Sequence, residues 1–171
     1  MLGIMFAEVI TKKQIQTVAQ LARKIWIEDY IPIIGKEQTE YMLEKFQSVE
    51  AILREIQEED YLYFLIEPDG HPPVGYLAIQ PRQDDLFLSK ICLERASRGY
   101  GLGHKTIRFV EELAQELEKS AITLMVNKYN SGSIASCSRW GFRITNTAKT
   151  DIGDGFVMND YVMQKQTASV S

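Results

Sequence analysis

The sequence predicts an α+β fold, or α/β with a mixed sheet, and three observations carry that reading. Apolar residues recur at steps of three and four over residues 12–56 and 101–119, while short apolar runs bounded by turn residues fill the stretches between and after them. Turn chemistry separates three of those runs at Glu67-Pro68-Asp69-Gly70 and again over Pro81 to Asp85, the mark of an antiparallel meander. The 171 residues, 45% hydrophobic and 25% charged, contain neither a linker nor an internal repeat. Such a chain buries about 70% of its unfolded surface and needs no metal or disulfide staple. A single domain over residues 1–165 follows, with Gln166 to Ser171 as a loose polar tail.

The elements follow in order. Met5 to Ile10 is a short apolar run, read as a strand. Thr11 with Gln14 three positions on forms a capping box, so a helix starts at Lys12. Ile15, Val18, Ala19, Ala22, Ile25 and Trp26 form its apolar face, with Lys13, Gln16, Gln20 and Arg23 opposite, and Pro32 and Gly35 end it. A second helix covers Lys36 to Gln47. A third starts at Ser48 as N-cap, with Val49, Ile52, Leu53 and Ile56 on one side. Tyr61 to Ile66 has the length of a buried strand, Val74 to Gln80 returns antiparallel to it, and Leu86 to Leu93 is the third strand. From Gly101 to Lys119 a helix places Leu102, Thr106, Phe109, Val110, Leu113 and Leu117 on one face. Ala121 to Val126 is strand, and Ser131 to Trp140 is a short helix stopped by Gly141. Phe142 to Ala148 and Phe156 to Met163 close the chain as a hairpin across Gly153-Asp154-Gly155.

Nineteen Lys and Arg against twenty-three Asp and Glu leave a net charge of −4, so no global field draws nucleic acid, and a small or cationic partner fits better. Met1 to Ile10 has neither the basic region nor the long apolar core of a secretory leader, and no stretch has the apolar length of a membrane span. Cys92 and Cys137 stand far apart with no CxxC spacing. They are expected to be free thiols in a reducing, cytoplasmic setting.

The richest segment is Arg98-Gly99-Tyr100-Gly101-Leu102-Gly103-His104-Lys105, between a strand and a helix. Three glycines in five residues are entropically costly and belong where backbone approaches a ligand. The following helix directs its N-terminal N–H groups and positive dipole end into the same loop. This is an anion site, best suited to phosphate, with Arg98, His104 and Lys105 adding donors around it. Two familiar phosphate loops fail by spacing. The dinucleotide fingerprint meets His104 or Thr106 where it needs a small residue, and the nucleotide-triphosphate loop is broken by His104 between Gly103 and Lys105.

With Arg98, Gly101 and Gly103 in the Arg/Gln-x-x-Gly-x-Gly/Ala spacing, the sequence resembles the GCN5-related N-acetyltransferase (GNAT) family. The resemblance extends to element order, to Leu88 to Leu93 before the loop, and to Val126-Asn127-Lys128-Tyr129-Asn130, Ser133-Ile134 and Gly141-Phe142 after it. It implies an acyl-CoA N-acyltransferase fold, a central mostly antiparallel sheet flanked by helices, with acetyl-CoA as cosubstrate and no metal. The activity implied is acetyl transfer to a primary amine of a small molecule or protein.

In that frame Ile91, Cys92 and Leu93 offer backbone to the pantetheine arm. Gly99, Tyr100, Gly101, Leu102 and Gly103, with His104 and Arg98, hold the pyrophosphate, and Asn130 bonds the arm from the other side. Cys137 stands where many members carry a tyrosine that protonates the leaving thiolate. Met125 and Lys90 stand at or near positions where members carry a glutamate. A CoA-binding protein of the same fold with little catalysis is therefore the alternative, and a generic phosphate binder the third reading. On the substrate side, Trp26, Glu28, Asp29 and Tyr30 gather π faces and carboxylates suited to an amine. A homodimer through the sheet edge near the C-terminal hairpin is a further implication of the resemblance.

Overall fold

A computed structural model describes residues 3–167. Local signals place its first half. Thr11 accepts the Gln14 N–H at 3.2 Å while the Gln14 side chain accepts the Thr11 N–H at 3.0 Å, so strand β1 (Ile4–Glu8) passes directly into helix α1 (Lys12–Ile34). Pro32 was expected to end α1, but it lies inside the helix, whose cap is Gly35 with φ 87°. Proline removes the N–H that would bond the carbonyl four residues back, that of Glu28. Arg95 Nη2 supplies the replacement, donating to Glu28 O at 2.6 Å. Helix α2 (Lys36–Gln47) follows at once, and Ser48 caps α3 (Val49–Glu58) by accepting the Ala51 N–H at 3.2 Å.

The expected meander is present as β2 (Leu62–Pro68), β3 (Gly75–Pro81) and β4 (Asp85–Leu93). A short 3-10 turn (Arg95–Ser97) leads into the glycine loop and helix α4 (Leu102–Glu116). Strand β5 (Ala121–Asn127), helix α5 (Ser131–Arg139) and the hairpin of β6 (Arg143–Gly153) and β7 (Phe156–Gln166) complete the order. Among the described residues this is an α+β fold with a seven-stranded, mostly antiparallel sheet ordered β1-β2-β3-β4-β5-β7-β6. The parallel pair is β4 with β5, and its register runs only from Asp85↔Ala121 to Phe87↔Thr123.

Two compact units share the chain. The first extends to Gln80 and returns for Lys90–Gly103; the second takes Pro81–Ser89 and the chain from His104 onward. The core of the first includes Val18, Ala22, Ile25, Trp26, Ile52, Ile66 and Leu77, all buried. In the second, α4 buries Thr106 and Val110, as expected, together with Ile107 and Ala114 in place of Leu113 and Leu117. The helix ends at Glu116 and Glu118 adopts φ 57°, so Leu117 falls beyond the last turn and is exposed. Gln166 and Thr167, expected in a loose tail, are held in place. Gln166 pairs with Ala121, and Thr167 bonds both Ser120 O and Lys119 O. The remainder of that tail, 168–171, lies outside the described residues. Among the described residues, no helix is long and apolar enough to cross a membrane.

Candidate active site

In the first unit, β4 delivers the chain into the glycine loop. Gly99 and Gly101 both take positive φ, 87° and 78°, which side-chain-bearing residues adopt only with strain. A Cβ built on either would meet nothing within 4 Å. Open space beside the loop is followed by the first-turn amides of α4, which have no acceptor within the helix, an arrangement that suits an anionic group. Among the described residues no cluster of His, Cys, Asp or Glu is placed to hold a metal ion.

The backbone of β4 alternates its bonding direction. Glu94 N donates to Val74 O at 2.9 Å, and the Cys92 carbonyl lies so close to Gly75 that a Cβ there would collide with it. Residues 92 and 94 therefore turn their polar groups toward β3. Ile91 and Leu93 turn theirs to the opposite edge, beyond the end of the β4–β5 register. This corrects the expectation for Cys92, whose backbone belongs to the β3 side.

Arg98 was expected at the phosphates, and its guanidinium is turned back. Nε and Nη2 donate to Leu93 O at 3.1 and 2.8 Å, and Nη2 donates to Asp29 Oδ2 at 2.5 Å. Arg95 lies 3.4 Å from Asp29 Oδ1 and 3.7 Å from Glu28 Oε2, and Lys24 pairs with Glu94. The carboxylates expected to draw an amine, Glu28 and Asp29, thus already face arginines. Tyr30 sets its ring edge-on to Trp26, with centroids 5.3 Å apart.

The first unit also contains a buried polar chain that sequence reasoning missed. Gln47 Nε2 donates to Phe46 O at 2.6 Å and to Tyr63 Oη at 3.0 Å, which leaves its Oε1 to accept from Tyr76 at 2.6 Å. Tyr63 donates onward to Glu55 Oε1 at 2.5 Å. Every proton points the same way, from Tyr76 to Glu55. The Cys92 thiol also interacts with the Tyr76 hydroxyl. Burial pushes the Cys92 thiol and both tyrosine hydroxyls upward. It raises Glu55, against the pull of Lys90, and it lowers Lys90, against the pull of Glu55. The only signal in sequence was the run of aromatic residues in β2, which reads equally well as plain core.

In the second unit, His104 lies in the first turn of α4 and is exposed. Asn130 caps α5, its Oδ1 accepting the Ser133 N–H at 3.2 Å. Cys137 is buried on α5, and burial pushes its thiol up to about 11. Gly141 stops the helix with φ 96°, and Lys165 Nζ reaches the Trp140 carbonyl at 2.7 Å and Glu111 at 2.8 Å. Met125 is exposed on β5. Asp160, paired across the β5–β7 register with Asn127, is 3% exposed, its Oδ2 has no hydrogen-bond partner, and burial pushes it up to about 6. It too escaped the sequence reading, because an aspartate near the start of a strand reads as a solvated turn residue. Trp26 is buried too, and its indole N–H bears on the Cys92 sulfur.

No curated protein matches the chain in sequence. Among solved structures, the PaiA N-acetyltransferase from Thermoplasma acidophilum, in complex with coenzyme A, is similar over 96% of this chain and 99% of its own, at 18% identity and TM-score 0.79. The ribosomal-protein-S18-alanine N-acetyltransferase from Escherichia coli is similar over 99% and 97%, at 16% identity and TM-score 0.67. A spermidine N-acetyltransferase SpeG chimera from Vibrio cholerae and hSSAT is similar over 96% and 95%, at 13% identity and TM-score 0.68. The model of the Acetyltransferase (GNAT) family matches residues 19–142, most of the chain and all of the glycine loop. The chain belongs to the GNAT acetyltransferase family.

Proposed function

We propose that the chain acetylates a primary amine of a small molecule or protein with acetyl-CoA held along Ile91, Leu93 and the glycine loop. The observation that carries this reading is the β4 edge, which continues past its pairing with β5 and runs directly into two left-handed glycines and a helix N-terminus. An extended arm can pair with that edge as an added strand, through Ile91 N–H and C=O and the Leu93 N–H. The Leu93 carbonyl is spent on Arg98. The amides of Gly99, Tyr100, Gly101, Leu102 and Gly103, with His104, receive the pyrophosphate. Arg98 acts as a positioning residue that ties the loop to β4 and to α1. Asn130 retains its side-chain NH2 for the arm, since its capping bond uses Oδ1.

The β4 N–H groups also stabilise charge developing on the thioester oxygen as the amine attacks. Cys137 is a spectator. A thiol pushed up to about 11 gives its proton reluctantly to the better-stabilised CoA thiolate. Two free, buried cysteines suit a reducing compartment such as the cytoplasm. β6 closes one end of the strand order, so a homodimer formed along it belongs to the same proposal.

The test is calorimetry with acetyl-CoA, followed by a thiol-release assay against polyamines, aminoglycosides, amino acids and peptide N-termini. Saturable thiol release with at least one amine is expected. Tight acetyl-CoA binding with no release on any of them would support the non-catalytic alternative.

A further inference from the structure

A buried carboxylate is costly unless a cation or hydrogen-bond donors offset it. In the second unit, successive residues of β7 alternate between the two faces of the sheet. Lys165 marks one face, where its Nζ reaches Glu111 of α4 at 2.8 Å and the Trp140 carbonyl at 2.7 Å. Tyr161 shares that face, and Lys128 Nζ lies over its ring, 5.5 Å from the centroid. The lysine of β7 and the lysine that follows Asn127 are thus both engaged on the face opposite Asp160.

Asp160, Val162 and Gln164 belong to the other face, across from Asn127, Met125 and Thr123 of β5 in that order. At one end of this face the polar groups satisfy one another. Gln164 Nε2 donates to Thr123 Oγ1 at 3.0 Å, Thr123 donates to Asp85 Oδ2 at 2.6 Å, and Asp85 has Arg82 as its cation at 2.6 Å. Asp160, at the other end, has no such arrangement. It is buried, and its Oδ2 has no hydrogen-bond partner. Asn127, directly across on β5, spends its Oδ1 on the Tyr129 N–H at 2.9 Å, and Ala148, directly across on β6, has no polar side-chain atom. Met125, one register pair along, is 38% exposed, so the face opens to solvent beside the buried carboxyl. A methionine is flexible enough to move aside for a ligand.

We propose that Asp160 is the anchor of a subsite for a cationic amine, whose ammonium enters past Met125 and donates to the unpartnered Oδ2. The inference deepens the acetyl-transfer reading, on which it rests for the amine's role as acceptor. An ammonium carries one charge and three donors, so a single carboxyl oxygen can hold it. Calcium or magnesium would need about six oxygen ligands, and the described residues offer no such cluster. No bond is made or broken at this subsite; Asp160 is a specificity-determining residue that favours cationic over neutral ligands. A carboxylate that weakens the free fold at neutral pH gains a use once a bound cation offsets its charge.

The experiment titrates the wild-type chain, Asp160→Asn and Met125→Trp at neutral pH with n-butylamine, 1,4-diaminobutane and lysinamide, and with butan-1-ol as the neutral counterpart. Protein NMR follows binding, and a melting scan follows stability. At least one cation should bind the wild type saturably and shift the Asn127 and Met125 signals, while butan-1-ol should not. Asp160→Asn should weaken that binding about tenfold or more with a melting midpoint at or above that of the wild type, a combination that a merely structural role would not produce. Met125→Trp, which leaves the carboxylate in place and fills its approach, should weaken it as well. Affinity within about threefold of wild type in Asp160→Asn would overturn the subsite. So would unhindered binding in Met125→Trp, equal binding of butan-1-ol, or no binding of any of the three cations. A chain that holds a cation through Asp160 yet binds no acetyl-CoA in parallel calorimetry would overturn the acetyl-transfer reading and leave the subsite standing.

Discussion

Arg98 touches a carbonyl of β4 and a carboxylate of α1 rather than the open side of the glycine loop, so its influence on the cosubstrate is indirect. Arg98→Ala should weaken acetyl-CoA binding about tenfold, equivalent to about 1.4 kcal/mol. Asp29→Asn, which alters no residue assigned to the phosphates, should do nearly as much. The double variant should fall short of the sum, and calorimetry on the three proteins checks this coupling. Full additivity would return Arg98 to the phosphates. Cys137→Ala should keep kcat within about tenfold, read from thiol release at saturating acetyl-CoA; a thousandfold loss would make the thiol essential. At this scale the sequence was legible where chemistry imposes spacing, as with Gly99 and Gly101. It was silent where a role depends on which way a side chain turns. Arg98, Glu28 and Asp29 have the right charges for ligands, yet Arg98 meets Asp29, and Glu28 meets Arg95, across more than sixty residues of chain.

Helix α1 keeps its last turn despite Pro32, because Arg95 bonds the carbonyl that proline leaves without an N–H. Arg95→Ala should therefore lower stability by about 1–2 kcal/mol in the wild-type chain, the cost of a half-buried carbonyl losing a charged donor. In a Pro32→Ala background the same change should cost less, since the alanine N–H restores the helical bond. Urea unfolding of the four proteins measures the difference, and equal costs would show that Arg95 acts through Asp29 alone. Capping boxes and turn dipeptides made nearly every element boundary readable, Thr11, Ser48 and Gly141 among them. Pro32 misled because the partner that rescues its turn lies sixty-three positions later. The face of α4 misled because leucine count pointed to Leu113 and Leu117, whereas burial selects Ile107 and Ala114, where the helix is closely packed.

For the whole molecule, pH bears on stability through Asp160. Burial raises its folded pKa from the ordinary 3.8 to about 6. A carboxyl that is protonated more readily when folded stabilises fully below its unfolded value, and that contribution is lost as pH rises from about 4 through about 6, up to about 3 kcal/mol. Asp85 opposes this trend, because its bond to Arg82 holds it low and adds stability that is lost as pH falls. The difference between wild type and Asp160→Asn isolates the first effect. The variant should be the more stable at pH 7, with the gap closing toward pH 4, and a gap independent of pH would place the charge elsewhere. Fold class and element order were legible at this scale because they follow from periodicity, but the division of the chain was not. β4 belongs to one unit through Ser89 and to the other from Lys90. Neither unit is thus a continuous stretch of polypeptide, and no single cut yields either one free of the other. A fragment ending at Gly103 contains all of the first unit, yet it also carries Asp85 to Phe87 stripped of the strand they pair with, three apolar or charged edge residues facing water. During synthesis the ribosome must therefore extend the chain past Thr123 before the first half of β4 can gain its β5 partner, and nascent chains stalled between these points should remain protease-sensitive and prone to self-association.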